Sequence, residues 1–168
     1  MRKISFNDEY NLTKHVINGE ITIYLEKPEL LSYVEPLYRP PTFNVGEIIA
    51  IAQPYKDIPS FRDNPRYVGA SGYHKKHDVK AWVMPHHIEI VGKIKPVQIK
   101  DVTNAECFKA GVLKSDDRYG MYRTPFGNLT PCVYADTPQK ILSEMYEDRK
   151  GPLPWNNVYW MYHFKLID

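Results

Sequence analysis

The chain has 168 residues, a formal net charge of +2, 43% apolar residues and 25% charged residues. That length suits one domain with its own core, and the composition is ordinary for a soluble globular chain. So small a charge bias excludes binding to nucleic acid through the overall charge and leaves only a local basic patch for that work.

Aromatic residues reach 13%, with 13 Tyr, which favours strands and stacking surfaces. The 14 Pro against 9 Gly predict many stiff loops. Cys107 and Cys132 are the only cysteines and lie in no CxxC, so both are expected to be reduced structural thiols of a cytoplasmic protein. The apolar run Ile48–Ala52 is too short to span a membrane. Met1-Arg2-Lys3-Ile4 is not followed by a signal-peptide core, so no export is expected.

In chain order, Asn7 or Asp8 can cap a first helix that runs to about Asn18 and stops at Gly19. Glu20–Glu26 is β-branched and aromatic and reads as a strand, broken by Lys27-Pro28. Pro36–Pro41 holds three prolines and predicts an extended loop. Phe43–Gly46 is a turn feeding a strand, Glu47–Gln53, that is apolar on both faces and therefore central. Pro54–His77 is a long irregular stretch, expected to be a functional or mobile loop.

Lys80–Val112 is the organising unit. Its strand carries Ile88, Ile90, Ile94 and Val97, with a bend or bulge expected near Gly92. A short helix follows, opened by the capping box Thr103-x-x-Glu106 and closed at Gly111. Leu113–Asp136 reads as a second polar, turn-rich insertion. Thr137 caps a helix with Pro138 in its first turn and a buried stripe of Ile141, Leu142, Met145 and Tyr146. Gly151–Pro154 is a loop, and the alternation from Val158 to Leu166 makes the last stretch a strand. The sum is an α+β domain spanning 1–168, a small curled sheet or barrel with helices outside and insertions at about 54–79 and 113–136. No glycine-rich phosphate loop joins a strand to a helix.

Phe43–Tyr55, Lys80–Ile90, Val97–Val112 and Thr137–Ile167, in that order and spacing, resemble the ASCH domain family within the PUA-like superfold. The resemblance is to its longer members from phages and prophages of gut bacteria. It implies a PUA-like small mixed β-barrel with flanking helices, and a pocket between the first helix–strand corner and the central unit. Family members are regarded as RNA- or nucleotide-binding modules, and one small branch hydrolyses the amide of N4-acetylcytidine. That branch uses a Lys, a Thr three residues on, and a Glu before the glycine that closes the middle helix. Phage-type members read Gly-x-Lys-Thr-x-Thr-Arg-Arg at the first place.

Here Ile21 stands for that Lys, Tyr24 for the Thr, Leu25 and Glu26 for the two arginines, and Ala110 for the Glu. Ile21 and Ala110 supply neither an activating group nor a proton carrier, so no catalytic residue is assigned. Losing the paired arginines also removes the obvious phosphate contacts.

His74, His77, His86 and His87 lie within fourteen residues. They read either as a metal site or as a loop pair plus structural histidines; no acidic residue or Cys completes a familiar spacing, and neither a metal nor a cofactor is expected. By the resemblance, His86 or His87 sits at the pocket rim and could bond a base or ribose. Lys75, Lys76 and Lys80 form a basic loop with Arg62 and Arg66, interleaved with Tyr55, Phe61, Tyr67 and Tyr73. Cations among aromatics suit single-stranded RNA; the alternative is a solvated loop whose aromatics pack on the barrel. Trp82, Trp155 and Trp160 read as core or loop anchors.

The expected ligand-binding residues are thus Thr22, Tyr24, Tyr73, Lys75, Lys76, Lys80, His86 and His87. The expected function is a non-catalytic binding module for RNA or a nucleotide-like ligand. Two alternatives stand beside it: an amidohydrolase acting on a modified nucleoside with Thr22 or Tyr24 as nucleophile, and a phage-encoded factor that binds a host protein.

Overall fold

The structure, a computed structural model, describes residues 1–32, 37–115, 117–123, 130–146 and 157–167. It is a mixed α+β fold with several sheets and few helices. The strands are β1 (Lys3–Ile4), β2 (Ile23–Glu26), β3 (Leu30–Ser32), β4 (Leu37–Tyr38), β5 (Ile48–Ile51), β6 (His87–Gln98), β7 (Leu113–Ser115), β8 (Arg118–Arg123), β9 (Thr130–Ala135) and β10 (Val158–Leu166). The helices are α1 (Leu12–Ile17), α2 (Pro59–Arg62), α3 (Asn104–Lys109) and α4 (Pro138–Met145).

The main sheet has the order β1-β5-β6-β10-β2, in which only β1 and β5 run parallel. Among the described residues no ladder joins its two ends, β1 and β2. β5 lies inside the sheet as expected, with Ile49, Ala50 and Ile51 fully buried. The centre is the long antiparallel ladder of β6 with β10.

The bend expected at Gly92 is present, because that residue has φ 69° in the middle of β6. The ladder steps from Met161↔Lys95 to His163↔Val91, so three residues of β6 oppose Tyr162 alone. Such a bulge bends the strand that carries it, here β6, and breaks the pairing phase with its partner. In β10 the buried residues are Tyr159 and Met161 before the step, and Tyr162 and Phe164 after it. The simple alternation expected for this strand therefore changes phase halfway along.

Three expectations need correction. The first helix is shorter than expected, because a 3-10 turn at Asp8–Tyr10 precedes it and Asn11 takes a left-handed conformation (φ 54°) at its start. Within the expected extended loop, Leu37 and Tyr38 pair with β3 as a small hairpin; Pro36 lies outside the described residues. The expected insertion at 113–136 instead holds a sheet, β7-β8-β9. Its signal is weak because Arg118–Arg123 is short, charged at both ends and interrupted by Gly120. The expected loop Gly151–Pro154 and Trp155 lie outside the described residues, as does the side chain of Cys132.

The two irregular-looking regions are unequal. Residues 54–79 hold 3-10 turns and α2, wrapped around Ile58 and Val79. Tyr55, Phe61 and Tyr67 pack on one another with ring centroids 4.6–5.4 Å apart. The loop thus has its own small core, in which Ala50, Ala52 and Met84 take part.

The capping box at α3 is complete. Thr103 Oγ1 accepts from the Glu106 N–H, and the Glu106 carboxylate accepts from the Thr103 N–H at 2.9 Å. Lys95 Nζ, on β6, donates to the same carboxylate at 2.9 Å, which joins the helix start to the sheet. Burial works against the charged form, but Lys95 and Thr103 prevail and hold the carboxyl at about 2, below its ordinary 4.5. At α4, Thr137 occupies the cap position without a side-chain cap bond, and Ile141, Leu142 and Met145 are buried as expected.

Thr103→Ala is expected to lower the unfolding free energy by about 1 kcal/mol in urea titrations at neutral pH. The lowered Glu106 pKa stabilises the fold fully above pH 4.5, and that contribution fades as pH falls towards 2. Glu106→Gln should flatten that acid limb; an unchanged acid dependence in the variant would remove Glu106 from the account.

Candidate functional site

The corner where a family pocket is expected is nearly closed. The cavity lined by Ile21, Phe108, Gly111 and Val112 holds about 60 Å³. Ligand pockets run to about 300–1,000 Å³, so a nucleoside does not fit here. Ile21 is itself the filling: it is 4% exposed, and its Cδ1 stands 3.0 Å from where a Cβ at residue 111 would be. Leu12 and Met145 crowd the same point at 3.1 and 3.3 Å. Ala110 is also buried.

Thr22 and Tyr24 are structural in this setting. The Thr22 N–H donates to the Lys109 carbonyl, and the Thr22 carbonyl accepts from the Phe164 N–H, both at 2.9 Å. These bonds stitch the end of α3 and β10 to the start of β2. Among the described residues no hydrogen bond reaches the Thr22 hydroxyl to activate it. Tyr24 packs edge-on against Phe6 at 5.7 Å and tilted against Tyr162 at 6.1 Å. Burial, aided by the charge of Glu26, pushes its phenol up to about 12. A neutral, half-buried phenol is a poor nucleophile at neutral pH.

The basic loop divides by role. Lys76 is only 12% exposed at its side chain, and its Nζ donates to the Phe6 carbonyl at 2.5 Å and to Asp8 at 2.7 Å. Lys3 reaches the opposite way, donating to the carbonyls of Lys76 at 3.3 Å and Val79 at 2.8 Å, and also to that of His77. Two ammonium groups therefore tie the loop to the N-terminal segment, and Lys76 is an anchor more than a ligand contact. Lys75 is exposed, and its side chain makes no hydrogen bond or ion pair among the described residues; its carbonyl accepts from the Asp78 N–H at 3.0 Å. The Tyr73 hydroxyl donates to the Arg62 carbonyl at 3.2 Å, which ties the loop to itself.

Beside this tie lies an open groove of about 820 Å³, walled by Arg2, Thr42 and Phe43 on one side and by His77–Trp82 on the other. Arg2 is fixed in its wall. It donates to the Glu47 carboxylate, at 2.5 Å from Nε, and to the Thr42 carbonyl, and it lies 5.1 Å over the Phe43 ring. Trp82 is 74% exposed at the rim, with the Lys80 ammonium 5.8 Å from its ring centre. This corrects the anchor role expected for Trp82; Trp160 does anchor, its indole N–H donating to the Arg39 carbonyl at 2.9 Å. No local signal marked it: Trp82 stands among Val79, Ala81, Val83 and Met84, a setting that reads as a buried anchor, and those neighbours do pack in the small core of the loop.

The histidines do not converge. His77 lines this groove, His74 lines a separate cleft, and His86 and His87 lie half-buried at the start of β6, where their carbonyls accept from Ile51 and Ile167. Among the described residues no three His, Cys, Asp or Glu side chains come together as a metal site, and no helix is long and apolar enough to cross a membrane. Cys107 is fully buried, and burial pushes its thiol up to about 12. Of the eight expected ligand residues, only Lys80 lines the groove with the exposed tryptophan. No protein-family model, curated protein or solved structure matches the chain.

Lys76→Ala is expected to lower stability by about 1.5–3 kcal/mol in urea unfolding, since it leaves the Phe6 carbonyl without a charged donor. Lys75→Ala should stay within about 0.5 kcal/mol. Equal effects of the two would dissolve the distinction between anchor and free cation.

Proposed function

We propose that this chain is a non-catalytic binding module for single-stranded RNA or a nucleotide-like ligand, which enters the groove at Trp82. The observation that carries the reading is an indole 74% exposed beside Lys80 at the rim of an open groove. A bare indole next to an ammonium offers both base stacking and phosphate neutralisation. Lys75, five residues before Lys80, is a further exposed cation.

The resemblance to phage-type ASCH proteins supports the same reading. It would make the five-stranded sheet part of a PUA-like barrel, with the binding face moved away from the corner that Ile21 fills. The filled corner, the neutral phenol of Tyr24 and the unactivated Thr22 weigh against amide hydrolysis. Leu31 and Leu37, 51% and 59% exposed on the β3–β4 hairpin, favour a docking role for a host protein as the second reading.

The test is a titration of a labelled short single-stranded RNA at two salt concentrations. Binding is expected to tighten at low salt, and Lys80→Glu should reduce the salt dependence. Trp82→Ala should weaken binding by about 1–3 kcal/mol, roughly 5- to 150-fold. No binding at either salt would overturn the reading and direct attention to the hairpin.

A further inference from the structure

The groove at Trp82 also holds an acid. Asp78 lines it, exposed, and its carboxylate makes no hydrogen bond or ion pair among the described residues. The Lys and Arg side chains that share the groove are turned elsewhere. Arg2 bonds to Glu47, Lys3 bonds to main-chain carbonyls, and the Lys80 ammonium lies 5.8 Å from the centre of the Trp82 ring. A bare carboxylate is thus kept on a surface with cations to spare.

Its backbone is fixed. The Asp78 N–H donates to the Lys75 carbonyl at 3.0 Å, and Lys3 Nζ holds the carbonyls on both sides of it, those of His77 and Val79. Val79 and Met84, 1% and 3% exposed, are buried in the small core of the 54–79 loop. The segment that presents Asp78, Lys80 and Trp82 is therefore anchored within itself and at its end. Such a segment leaves a ligand little backbone to order on binding.

A carboxylate in a groove for a polyanion repels the phosphates of every strand alike. It becomes selective only where a base offers it donors, since a carboxylate can only accept. Guanine presents two adjacent donors on its Watson–Crick edge, N1–H and the N2 amino group, which match the two oxygens of one carboxylate. Adenine and cytosine present one amino group beside a ring nitrogen that is itself an acceptor. Uracil presents one N–H between two carbonyl oxygens. Each of these three edges sets a lone pair against the carboxylate.

We infer that Asp78 makes this groove selective for guanine in a single strand, an inference that rests on the single-strand-binding reading of the same groove. The base stacks on the face of Trp82 that Lys80 leaves open, its N1–H and N2–H donate to the Asp78 carboxylate, and Lys80 meets an adjoining phosphate.

Fluorescence anisotropy at one salt concentration tests this, with labelled oligouridine pentamers that carry G, A, C or U at the central position. The guanine strand should bind about tenfold tighter than the other three, as a bidentate base contact does. Inosine, which keeps N1–H and lacks the N2 amino group, should fall between. Asp78→Asn replaces one accepting oxygen by an NH₂ group; it should erase the preference and tighten the other three strands, because the repulsion goes with the charge. Asp78→Ala should erase the preference as well, without the new bonds an amide can form. Equal, salt-dependent binding of all four strands would overturn guanine selection and leave the single-strand reading standing. A guanine preference that survives both Asp78 variants would overturn the role of Asp78. Binding of no strand would overturn both.

Discussion

The pairing of β6 with β10, and the step in it at Gly92, sets the rest of the molecule. A strand that alternated without interruption would present one face to one core. The bulge lets β10 present two. Its first half turns Tyr159 towards Tyr146, 5.8 Å away beside α4. Its second half turns Phe164 to Phe6 at 5.8 Å and Tyr162 to Phe43 at 5.7 Å. Phe43 is also a wall of the Trp82 groove, so the position of that wall depends on the phase change in β10 that brings Tyr162 against it.

Charge is distributed by a similar logic. The chain looks mildly basic, yet several of its cations are turned inward onto structure. Arg2 holds the turn at Thr42–Glu47, Lys95 holds α3 through Glu106, and Lys3 and Lys76 hold the 54–79 loop. What remains for a partner is a smaller set, Lys80 beside Trp82, Lys75 on the loop before it, and Lys14, Lys56 and Arg62 at the cleft that His74 lines. A count of basic residues in a window overstates the charge available to a ligand, because it cannot separate an ammonium bonded to carbonyls from one in water.

Much of the frame was legible. The capping box, the glycine that bends β6, the interior position of β5 and the buried stripe of α4 all follow from local chemistry that acts within a few residues. The misses share a different cause. The β7-β8-β9 sheet is built from short strands whose stability comes from pairing with one another, which no single strand announces. The order of the 54–79 loop comes from rings at Tyr55, Phe61 and Tyr67 that meet only after the chain turns. The candidate sites were the least legible part. Lys75 and Lys76 are adjacent and identical in sequence, and only the fold makes one an anchor and leaves the other in water. Trp82 carries no motif, and what distinguishes it is its exposure.

The way the loop is fastened has a consequence for how this surface can change. Lys3 bonds only to main-chain oxygens of residues 76, 77 and 79, and Lys76 reaches a main-chain oxygen of residue 6. Apart from the Asp8 carboxylate that also accepts from Lys76, such a clasp follows the path of the backbone and does not depend on the side chains of residues 77–80. His77, Asp78 and Lys80, which face the groove between or beside the clasped points, are therefore open to replacement without unfastening the loop. The molecule separates holding from reading, much as a frame holds interchangeable type, and a new specificity in this groove needs only new letters.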